Sequence, residues 1–283
     1  YRGRYVATLH HSFKQRIKAK KGGLMRRFYY YLAEYLAEIP AVRRAEGLMA
    51  VSSATREVFT NQYRVSPSKI ALTRHGIDTQ FFKPIDDDTT LRKLRARLEI
   101  DYDSHIIMFA GFVTPRKGLE YLALAMRKIK PIPYLVITGK WSSSQRDTFL
   151  GLFGETRDRV IETGFVRDVD MPLYYSLADV YVSSSILEGF GLPIAEALAC
   201  ETPVVVAETG SVGEVVGPGG FLVPTRDPES LAVAISNLLQ NKEKRTDLGK
   251  LGRQHIASNF SIEAMVSNTI EAYQRYALGN INS

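Results

Sequence analysis

Two carboxylates, Glu188 and Glu196, stand on either side of a glycine-containing turn. The apolar residues 180–182 before them predict the end of a buried strand. Pro193 follows the turn at a position tolerated in the first turn of a helix. Glycines allow close approach to a phosphate, and free N–H groups at a helix N-terminus attract an anion. Because a carboxylate can accept hydrogen bonds from paired sugar hydroxyls, the pattern predicts a site for a diphosphate with a sugar at both ends.

Each acid also has a simpler interpretation. A single Glu in a loop or on a helix is usually a solvated surface residue. The glycines and the preceding strand favour a site, because they place both acids around one turn. The predicted ligand is therefore a nucleotide-sugar.

The composition is that of an ordinary globular protein. Its 283 residues suffice for two domains, and its hydrophobic and charged fractions are 45% and 24%. No apolar run is long enough to span a bilayer and no secretory cleavage pattern is present, so we expect a cytoplasmic protein. The single cysteine, Cys200, excludes an internal disulfide and a zinc cluster and fits a reducing compartment.

The net charge of +7 is concentrated near the N-terminus. Residues 1–50 carry +8, whereas the remainder carries −1. This basic block, spread over residues 2–44, favours an anionic partner: a membrane surface, a phosphorylated acceptor or nucleic acid. We rank membrane-bound lipid acceptors above nucleic acid, because no nucleic-acid-binding module accompanies the charge.

An aromatic segment follows the basic block. Its apolar residues recur at helical spacing and predict a helix over residues 24–39. Aromatic residues surround much of this helix, so it could pack in a core or lie on the inner face of a membrane. The sequence leaves both interpretations open.

Strands and helices alternate along the chain, which predicts parallel sheets with ligands at the carboxyl ends of the strands. A polar stretch after Pro84 is the predicted domain boundary. The predicted strands cover residues 5–9, 47–53, 69–73, 105–110, 134–138, 159–163, 179–183, 203–207 and 221–223. The predicted helices after the aromatic one cover residues 54–63, 90–98, 119–128, 171–177, 228–240, 243–257 and 262–277, besides the helix after Pro193.

Together these pieces resemble a known family. Glu188 and Glu196, which enclose Gly-Phe-Gly-Leu-Pro-Ile-Ala, are similar to the E-x7-E signature of the retaining glycosyltransferases of family 4. Segments 178–185 and 201–207 flank the signature in the family's order, and segment 74–84 is similar to its interdomain motif. The resemblance implies an α/β protein of the GT-B fold, with two Rossmann-like doubly wound domains.

The resemblance also implies a division of the chain. Residues 1–84 correspond to the second half of the acceptor-side domain, and residues 85–261 to the nucleotide-sugar-binding domain. Residues 262–283 correspond to a closing helix that crosses back to the first domain. The family's first domain has further strands before residues 5–9, so we expect an incomplete first domain. Either the chain is a fragment or a second chain completes the sheet, since an open strand edge is prone to associate.

The implied activity is metal-independent transfer of a hexose from a UDP- or GDP-sugar to a hydroxyl group, with retention of configuration. The acceptor would be a glycan or a lipid-linked molecule, and no cofactor or metal is expected. Glu188 would contact the transferred hexose, and His10, which follows the first strand, would cover it from the other domain. An imidazole at that position can donate to a sugar hydroxyl or stabilise charge.

The donor-binding residues are assigned through the same resemblance. Lys117 would neutralise the diphosphate, the helix N-terminus would face it, and Glu196 would hold the ribose. The loop after residue 164 would contact the base. The predicted donor-binding set is Gly111, Arg116, Lys117, Phe165, Val166, Phe190, Gly191, Leu192 and Glu196.

Several positions depart from the family pattern. Phe112 occupies the position of an Arg in the phosphate loop, and whether Arg116 replaces that Arg is left open by its different Cα position. Arg74 and His75 stand where the family has Pro-Asn, and His11 stands where it often has an acid.

Two other functions are therefore considered. Phe112 and the missing strands favour a non-catalytic nucleotide-sugar-binding module, or a subunit of a larger glycosyltransferase. The other is a nucleotide-sugar epimerase or a phosphorylase on the same fold. A phosphorylase that uses pyridoxal phosphate would need a cofactor lysine, and the sequence does not point to one.

Overall fold

A computed structural model of the chain describes residues 5–10, 24–140 and 146–278. It contains two separate parallel sheets, one of three strands and one of six. The α/β class predicted from the alternating elements is therefore confirmed. The basic segment at residues 12–21, the neighbouring His11 and the stretch 141–145 lie outside the described residues.

The small sheet has three parallel strands in the order β1 (Val6–Leu9), β2 (Gly47–Ala50) and β3 (Ile70–Leu72). Helix α3 (Ser53–Tyr63) connects β2 to β3. Its Phe59 is buried together with residues of all three strands, which form the core of this half of the molecule.

The aromatic helix is longer than predicted. It consists of α1 (Leu24–Ala33), a π-helical turn (Glu34–Glu38) and α2 (Ile39–Arg44). Pro40 lies where the π-helical turn passes into α2, so it falls at a point where the regular α-helical hydrogen-bond pattern is already interrupted. The side chains of Phe28 and Tyr35 are both 66% exposed, so this face does not pack in a core. Val42 of α2, in contrast, is buried in the core of the small sheet.

The large sheet has six parallel strands in the order β6-β5-β4-β7-β8-β9. Its strands are β4 (Ile106–Ala110), β5 (Tyr134–Thr138), β6 (Val160–Gly164), β7 (Val180–Ser183), β8 (Val204–Ala207) and β9 (Gly220–Val223). Strands β4, β5, β7 and β8 are buried along their whole length, as expected for a parallel sheet covered by helices on both faces. The strand order reverses between β4 and β7, and this switch point is where a doubly wound sheet binds its ligand.

In the described part of the chain nine further helices follow β3, and seven of them begin close to the predicted residues. The nine are α4 (Asp88–Arg97), α5 (Leu119–Met126), α6 (Arg146–Gly151), α7 (Met171–Leu177), α8 (Leu192–Ala199), α9 (Val212–Val216), α10 (Pro228–Leu239), α11 (Lys242–Asn259) and α12 (Ile262–Leu278). Side-chain caps explain two of the starts: Asp227 accepts from the Ser230 N–H at 3.1 Å, and Asn241 accepts from the Lys244 N–H at 2.9 Å. Within the described ranges, none of the helices combines the length and apolarity needed to cross a bilayer.

The two halves are joined where the connection after β3 meets the end of α11. The Ile77 N–H donates to the Phe260 carbonyl at 2.7 Å, and Ile77 forms an isolated parallel bridge with Ser261. Helix α12 then packs against β2, where the Tyr276 hydroxyl donates to the Leu48 carbonyl at 3.3 Å. The chain therefore passes from the small-sheet half to the large-sheet half after β3, and α12 returns to the small-sheet half. The domain limits at residues 84 and 261 stay predictions.

Candidate active site at the switch point

A cleft of about 300 Å³ lies at the carboxyl ends of β4 and β7 and extends to the small sheet. Its residues come from the loops after β1, β2 and β3 on one side, and from the loops after β4 and β7 on the other. They are His10, Val51, His75, Gly111, Phe112, Arg116, Lys117, Glu188, Gly189, Phe190, Gly191, Leu192 and Pro193. Eight of the residues predicted from the sequence are thus brought together.

Lys117 and Glu188 form the central ion pair of the cleft. The Lys117 Nζ lies 2.6 Å from the Glu188 Oε2. Lys117 ends a short 3₁₀ turn, and Gly118 follows it with a φ of +61°. A Cβ at Gly118 would lie 2.2 Å from the Ser184 carbonyl oxygen, so the two loops touch at their backbones. The glycine therefore brings the lysine of one loop to the acid of the other.

The surroundings of Glu188 favour its ionised form. Burial acts to raise the pKa of this carboxyl, but Lys117 and then Arg116 outweigh it and hold the pKa below the usual value. The Arg116 Nη1 lies 3.6 Å from the Glu188 Oε2 and donates to the Leu187 carbonyl at 3.0 Å. The Ser185 hydroxyl also donates to Glu188, at 3.3 Å. Two cations and one carboxylate thus leave this part of the cleft positive.

The turn before α8 places the N-terminus of this helix at the cleft. Gly191 has a φ of +92° and caps the helix, and Pro193 occupies the first turn. The Phe190 side chain is buried against Phe260, with ring centroids 5.5 Å apart, so the loop is anchored while its backbone lines the cleft. The partial positive charge of the helix N-terminus adds to that of Lys117.

Glu196 lies on α8 outside the residues that line this cleft. Its Oε2 accepts a hydrogen bond of 2.7 Å from the hydroxyl of Tyr175, which is fully buried. Burial raises the pKa of Glu196; the Tyr175 bond opposes the change, and the negative charge of Asp168 adds to it. Asp168 belongs to the segment after β6, so the carboxyl of Glu196 is close enough to this segment to be affected by its charge.

Phe165 and Val166, predicted to contact the base, belong to this same segment after β6 and lie outside the cleft-lining set. Phe165 is 64% exposed, and the Lys140 ammonium lies 5.4 Å from the centroid of its ring. Val166 is half-buried against the core of the large sheet. The predicted site thus divides into a part around Glu188 and a part around Glu196, connected by α8.

His10 and His75 form the opposite wall of the cleft. Their rings are stacked, with centroids 5.4 Å apart and an angle of 23° between their planes. His75 also meets the edge of Phe190 at 5.2 Å. Burial, and then the proximity of His10, lower the pKa of His75. His75 was not predicted as a site residue, although it follows β3 as His10 follows β1.

The segment after β8 supports the loop that carries Glu188. The Thr209 hydroxyl donates to the Ile186 carbonyl at 3.0 Å, and the Ser211 hydroxyl donates to the Gly189 carbonyl. Gly210 has a φ of +59°, and a Cβ there would lie 2.4 Å from the Glu188 carbonyl oxygen. The position of Glu188 therefore depends on close contact with this segment. Among the described residues, no three His, Cys, Asp or Glu side chains are grouped as metal ligands.

Comparison with known families gives two matches along the chain. Residues 91–255 match the family described as glycosyl transferases group 1, and residues 1–81 match glycosyltransferase family 4.

Comparison with curated proteins gives relatives that are longer than this chain. The MMP α-(1→4)-mannosyltransferase of Mycolicibacterium hassiacum is 26% identical over 283 residues, which cover 95% of this chain and 65% of the relative. The D-inositol 3-phosphate glycosyltransferase of Jonesia denitrificans is 29% identical over 260 residues, which cover 86% and 60%. The chain thus spans about two thirds of the length of these relatives.

Solved structures share the architecture. Sucrose-phosphate synthase from Thermosynechococcus elongatus has a TM-score of 0.85 and 26% identity, with 99% of this chain and 69% of that chain covered. The Anabaena protein HepE, solved in complex with UDP and glucose, has a TM-score of 0.79 and 22% identity, with 96% and 72% covered. The predicted GT-B fold is therefore confirmed.

Proposed function

The chain belongs to the glycosyl transferases of group 1, and on that premise we propose that it transfers a hexose from a nucleotide-sugar to an acceptor hydroxyl with retention of configuration. The observation that carries the proposal is the Lys117–Glu188 pair, which lies at the N-terminus of α8 and at the switch point of the large sheet. A cation and a helix N-terminus bind a diphosphate, and the adjacent acid binds the sugar attached to it.

The diphosphate of the donor would lie between Lys117 and the first turn of α8. Lys117 is almost fully buried, so its charge is poorly screened by water. Arg116 lies at the same wall and adds a second cation, which is how it would compensate for Phe112. These groups stabilise the negative charge that develops on the leaving diphosphate.

The two ends of the donor would be held by the two acids. The lowered pKa of Glu188 favours its ionised form, and the residue lines the cleft, where its carboxylate can accept hydrogen bonds from hexose hydroxyls. Glu196 shares one oxygen with Tyr175, and its second oxygen can accept from a ribose hydroxyl. Phe165 and Val166 provide apolar contacts for the base beside Glu196.

His10 and His75 would cover the hexose from the small sheet, on the side from which the acceptor enters. In the proposed reaction the acceptor oxygen bonds to the anomeric carbon on the face that the diphosphate leaves. The bond from that carbon to the diphosphate oxygen breaks, and the hydroxyl proton passes to the departing oxygen. The residues of this chain provide the charges and hydrogen bonds for this step, and we propose that it needs no metal or cofactor.

The acceptor is proposed to be a glycan or a lipid-linked molecule. The basic residues between 2 and 44, with the exposed aromatic face of α1, support binding at an anionic membrane surface. Several relatives are named for phosphorylated sugars or cyclitols, so a phosphorylated acceptor belongs in any acceptor panel.

A non-catalytic nucleotide-sugar-binding module is the second candidate. It is favoured by Phe112, which lines the cleft and is 52% exposed at the position where the family pattern has an Arg. In that case the donor would bind without turnover.

Calorimetric titration with a panel of nucleotide-sugars, in the presence of EDTA, tests the proposal. We expect one donor to bind in the micromolar range and to be turned over when an acceptor panel is added, with the anomeric configuration kept as read by NMR. Binding without turnover across the panel would favour the non-catalytic module. If no donor binds, the assigned site is wrong.

A further inference from the structure

Glu214 joins the two halves of the molecule through its side chain. It lies in α9 of the large-sheet half, and its Oε1 accepts from the Ser53 N–H of the small-sheet half at 3.0 Å. Its Oε2 accepts from the Ser53 hydroxyl at 2.9 Å and from the Arg74 Nη2 at 3.2 Å. With 27% of the side chain exposed, this carboxylate is partly shielded from solvent.

The contact with Ser53 is electrostatically favourable. Ser53 is the first residue of α3, an eleven-residue helix whose N-terminus carries partial positive charge and N–H groups that need acceptors. The Glu214 carboxylate supplies both an acceptor and a negative charge at this end. An acid from one half therefore caps a helix of the other.

The first turn of α3 holds His10. The Thr55 hydroxyl donates to the His10 carbonyl at 3.3 Å. Thr55 is itself fixed by Ser52, whose hydroxyl oxygen accepts from the Thr55 N–H at 3.1 Å. Since Ser52 and Thr55 flank Ser53, a shift of this turn relative to Glu214 would shift His10 with it.

Arg74 provides a second route to the same histidine. Its guanidinium binds Glu214, and the next residue, His75, stacks against His10 at 5.4 Å. Thr55 therefore contacts the backbone of His10, and His75 contacts its ring. Their near neighbours in the sequence, Ser53 and Arg74, are both bound to Glu214.

The residues just before α9 hold the loop that carries Glu188 in place. Thr209, Gly210 and Ser211 support the loop of Glu188, and they precede α9 directly. The Glu214 carbonyl is also bonded to His255 of α11, with 2.8 Å between the oxygen and the Nε2. Residues 209–214 therefore contact the Glu188 loop on one side and the His10 side of the cleft on the other.

We propose that Glu214 is a positioning residue, which sets the distance between His10 and Glu188 across the cleft. This inference rests on the proposed function, in which His10 and Glu188 face the same hexose. Glu214 touches neither donor nor acceptor in it. Removal of its carboxylate would leave the donor-binding half intact and misplace the histidine.

Steady-state kinetics of Glu214→Ala tests this role. Because a displacement of about 1 Å at a reacting centre can cost about 100-fold in rate, we expect kcat to fall by about that factor. The affinity for the nucleoside diphosphate, measured by calorimetry, should stay within about threefold of the wild type, since Lys117 and Glu196 lie in the other half. Glu214→Gln keeps an acceptor for Ser53 and should lose less activity. Glu208→Ala, an exposed acid on the same segment, is the matched control and should behave as the wild type.

A distance measurement tests the inference without any turnover. Spin labels at Glu57→Cys on α3 and Lys250→Cys on α11 report the separation of the halves, and both positions are exposed. Cys200 is buried, so labelling is selective. We expect a single narrow distance distribution in the labelled parent, and a broader distribution at longer distance when Glu214→Ala is added.

The outcomes separate the two proposals. An unchanged kcat, or a loss of nucleotide affinity as large as the loss of kcat, would overturn the positioning role, and so would identical distance distributions. If the parent protein turns over no donor but its distance distribution broadens with Glu214→Ala, the proposed function fails while the coupling through Glu214 stands. Far-ultraviolet circular dichroism at the assay temperature checks that each variant is folded.

Discussion

The Lys117 ammonium lies 2.6 Å from the Glu188 carboxylate, and the two side chains are only 8% and 13% exposed. Each charge therefore depends on the other for compensation, because removing one partner of a buried pair leaves an uncompensated charge. The pair also joins the group proposed to bind the diphosphate to the group proposed to bind the hexose. A donor in the cleft would receive hydrogen bonds from the first and donate to the second.

Lys117→Ala is expected to weaken binding of the nucleoside diphosphate by about 10- to 100-fold, the equivalent of one hydrogen bond to a charged group. It should also raise the pKa of Glu188, which loses its main cation. Calorimetry measures the affinity, and Lys93→Ala, an exposed lysine on α4, is the control. Equal affinities in Lys117→Ala and Lys93→Ala would exclude Lys117 from the donor site.

Glu188→Gln is expected to reduce transfer far more than nucleotide binding, because the hexose is the part of the donor that Glu188 is proposed to contact. A loss of about 100-fold in kcat is a reasonable scale for a misplaced reacting group. The free energy of unfolding should change as well. The pKa of Glu188 is lowered, so its stabilising contribution is present above the unfolded-state pKa and disappears as the pH falls through the folded-state pKa.

Comparison of urea unfolding at neutral and acidic pH checks the second part of that prediction. The wild type should exceed Glu188→Gln in unfolding free energy at neutral pH by about 2 kcal/mol, and the difference should shrink under acidic conditions. A difference that is the same at both pH values would show that the charge of Glu188 does not stabilise the fold.

Glu196→Gln is expected to have the opposite effect on stability. The pKa of Glu196 is raised, so its ionised form costs stability, and the cost grows as the pH rises from the ordinary value through the folded-state pKa. The variant should therefore unfold at higher denaturant concentration at neutral pH, by about 1 kcal/mol in unfolding free energy. At the same time it should bind nucleotide about 10-fold more weakly.

The pH dependence of nucleotide affinity provides the check for Glu196. In the wild type, affinity should fall as the pH drops through the raised pKa of Glu196, because the protonated acid loses acceptor capacity. In Glu196→Gln the same decline should be absent. Parallel pH profiles for the two proteins would remove Glu196 from the nucleotide site.

Gly210→Ala is expected to lower both activity and stability. The new Cβ would lie 2.4 Å from the Glu188 carbonyl oxygen, and the φ of +59° disfavours any L side chain. We expect a loss of about 1 to 3 kcal/mol in unfolding free energy, with a decrease in kcat as the Glu188 loop moves. Gly151→Ala is a suitable control, because a Cβ at Gly151 meets no atom within 4 Å. Thermal unfolding measures the stability of both variants, and initial rates measure their activity. Equal values for Gly210→Ala and Gly151→Ala would contradict the prediction.

Local patterns in the sequence predicted most of the elements. Strand β5 and helix α7 occupy the predicted residues, because an apolar run and a proline-initiated amphipathic turn are local signals. The acids around α8 were predicted to flank one turn, and the structure places them there. Glu188 lines the cleft, whereas Glu196 lies outside the cleft-lining residues and is bonded to Tyr175. This separation depends on contacts that a linear pattern does not contain.

The contacts across the cleft could not be predicted in the same way. Glu214 was not predicted as a site residue, and its partner Ser53 is 161 residues away in the sequence. The five-residue helix α9 that carries Glu214 was not predicted, because Val212–Val216 is too short for a helical period to be seen. The aromatic helix was predicted, but its environment was left open. Aromatic residues surround much of the helix, so the sequence did not decide between burial in a core and exposure of this face.

The hydrogen bond from Ile77 to Phe260 ties together the two passages of the chain between the sheets. Glu214 and Tyr276 join the halves at two further places, through hydrogen bonds to Ser53 and Leu48. Any movement that separates His10 from Glu188 must therefore break or bend contacts at more than one point along the chain.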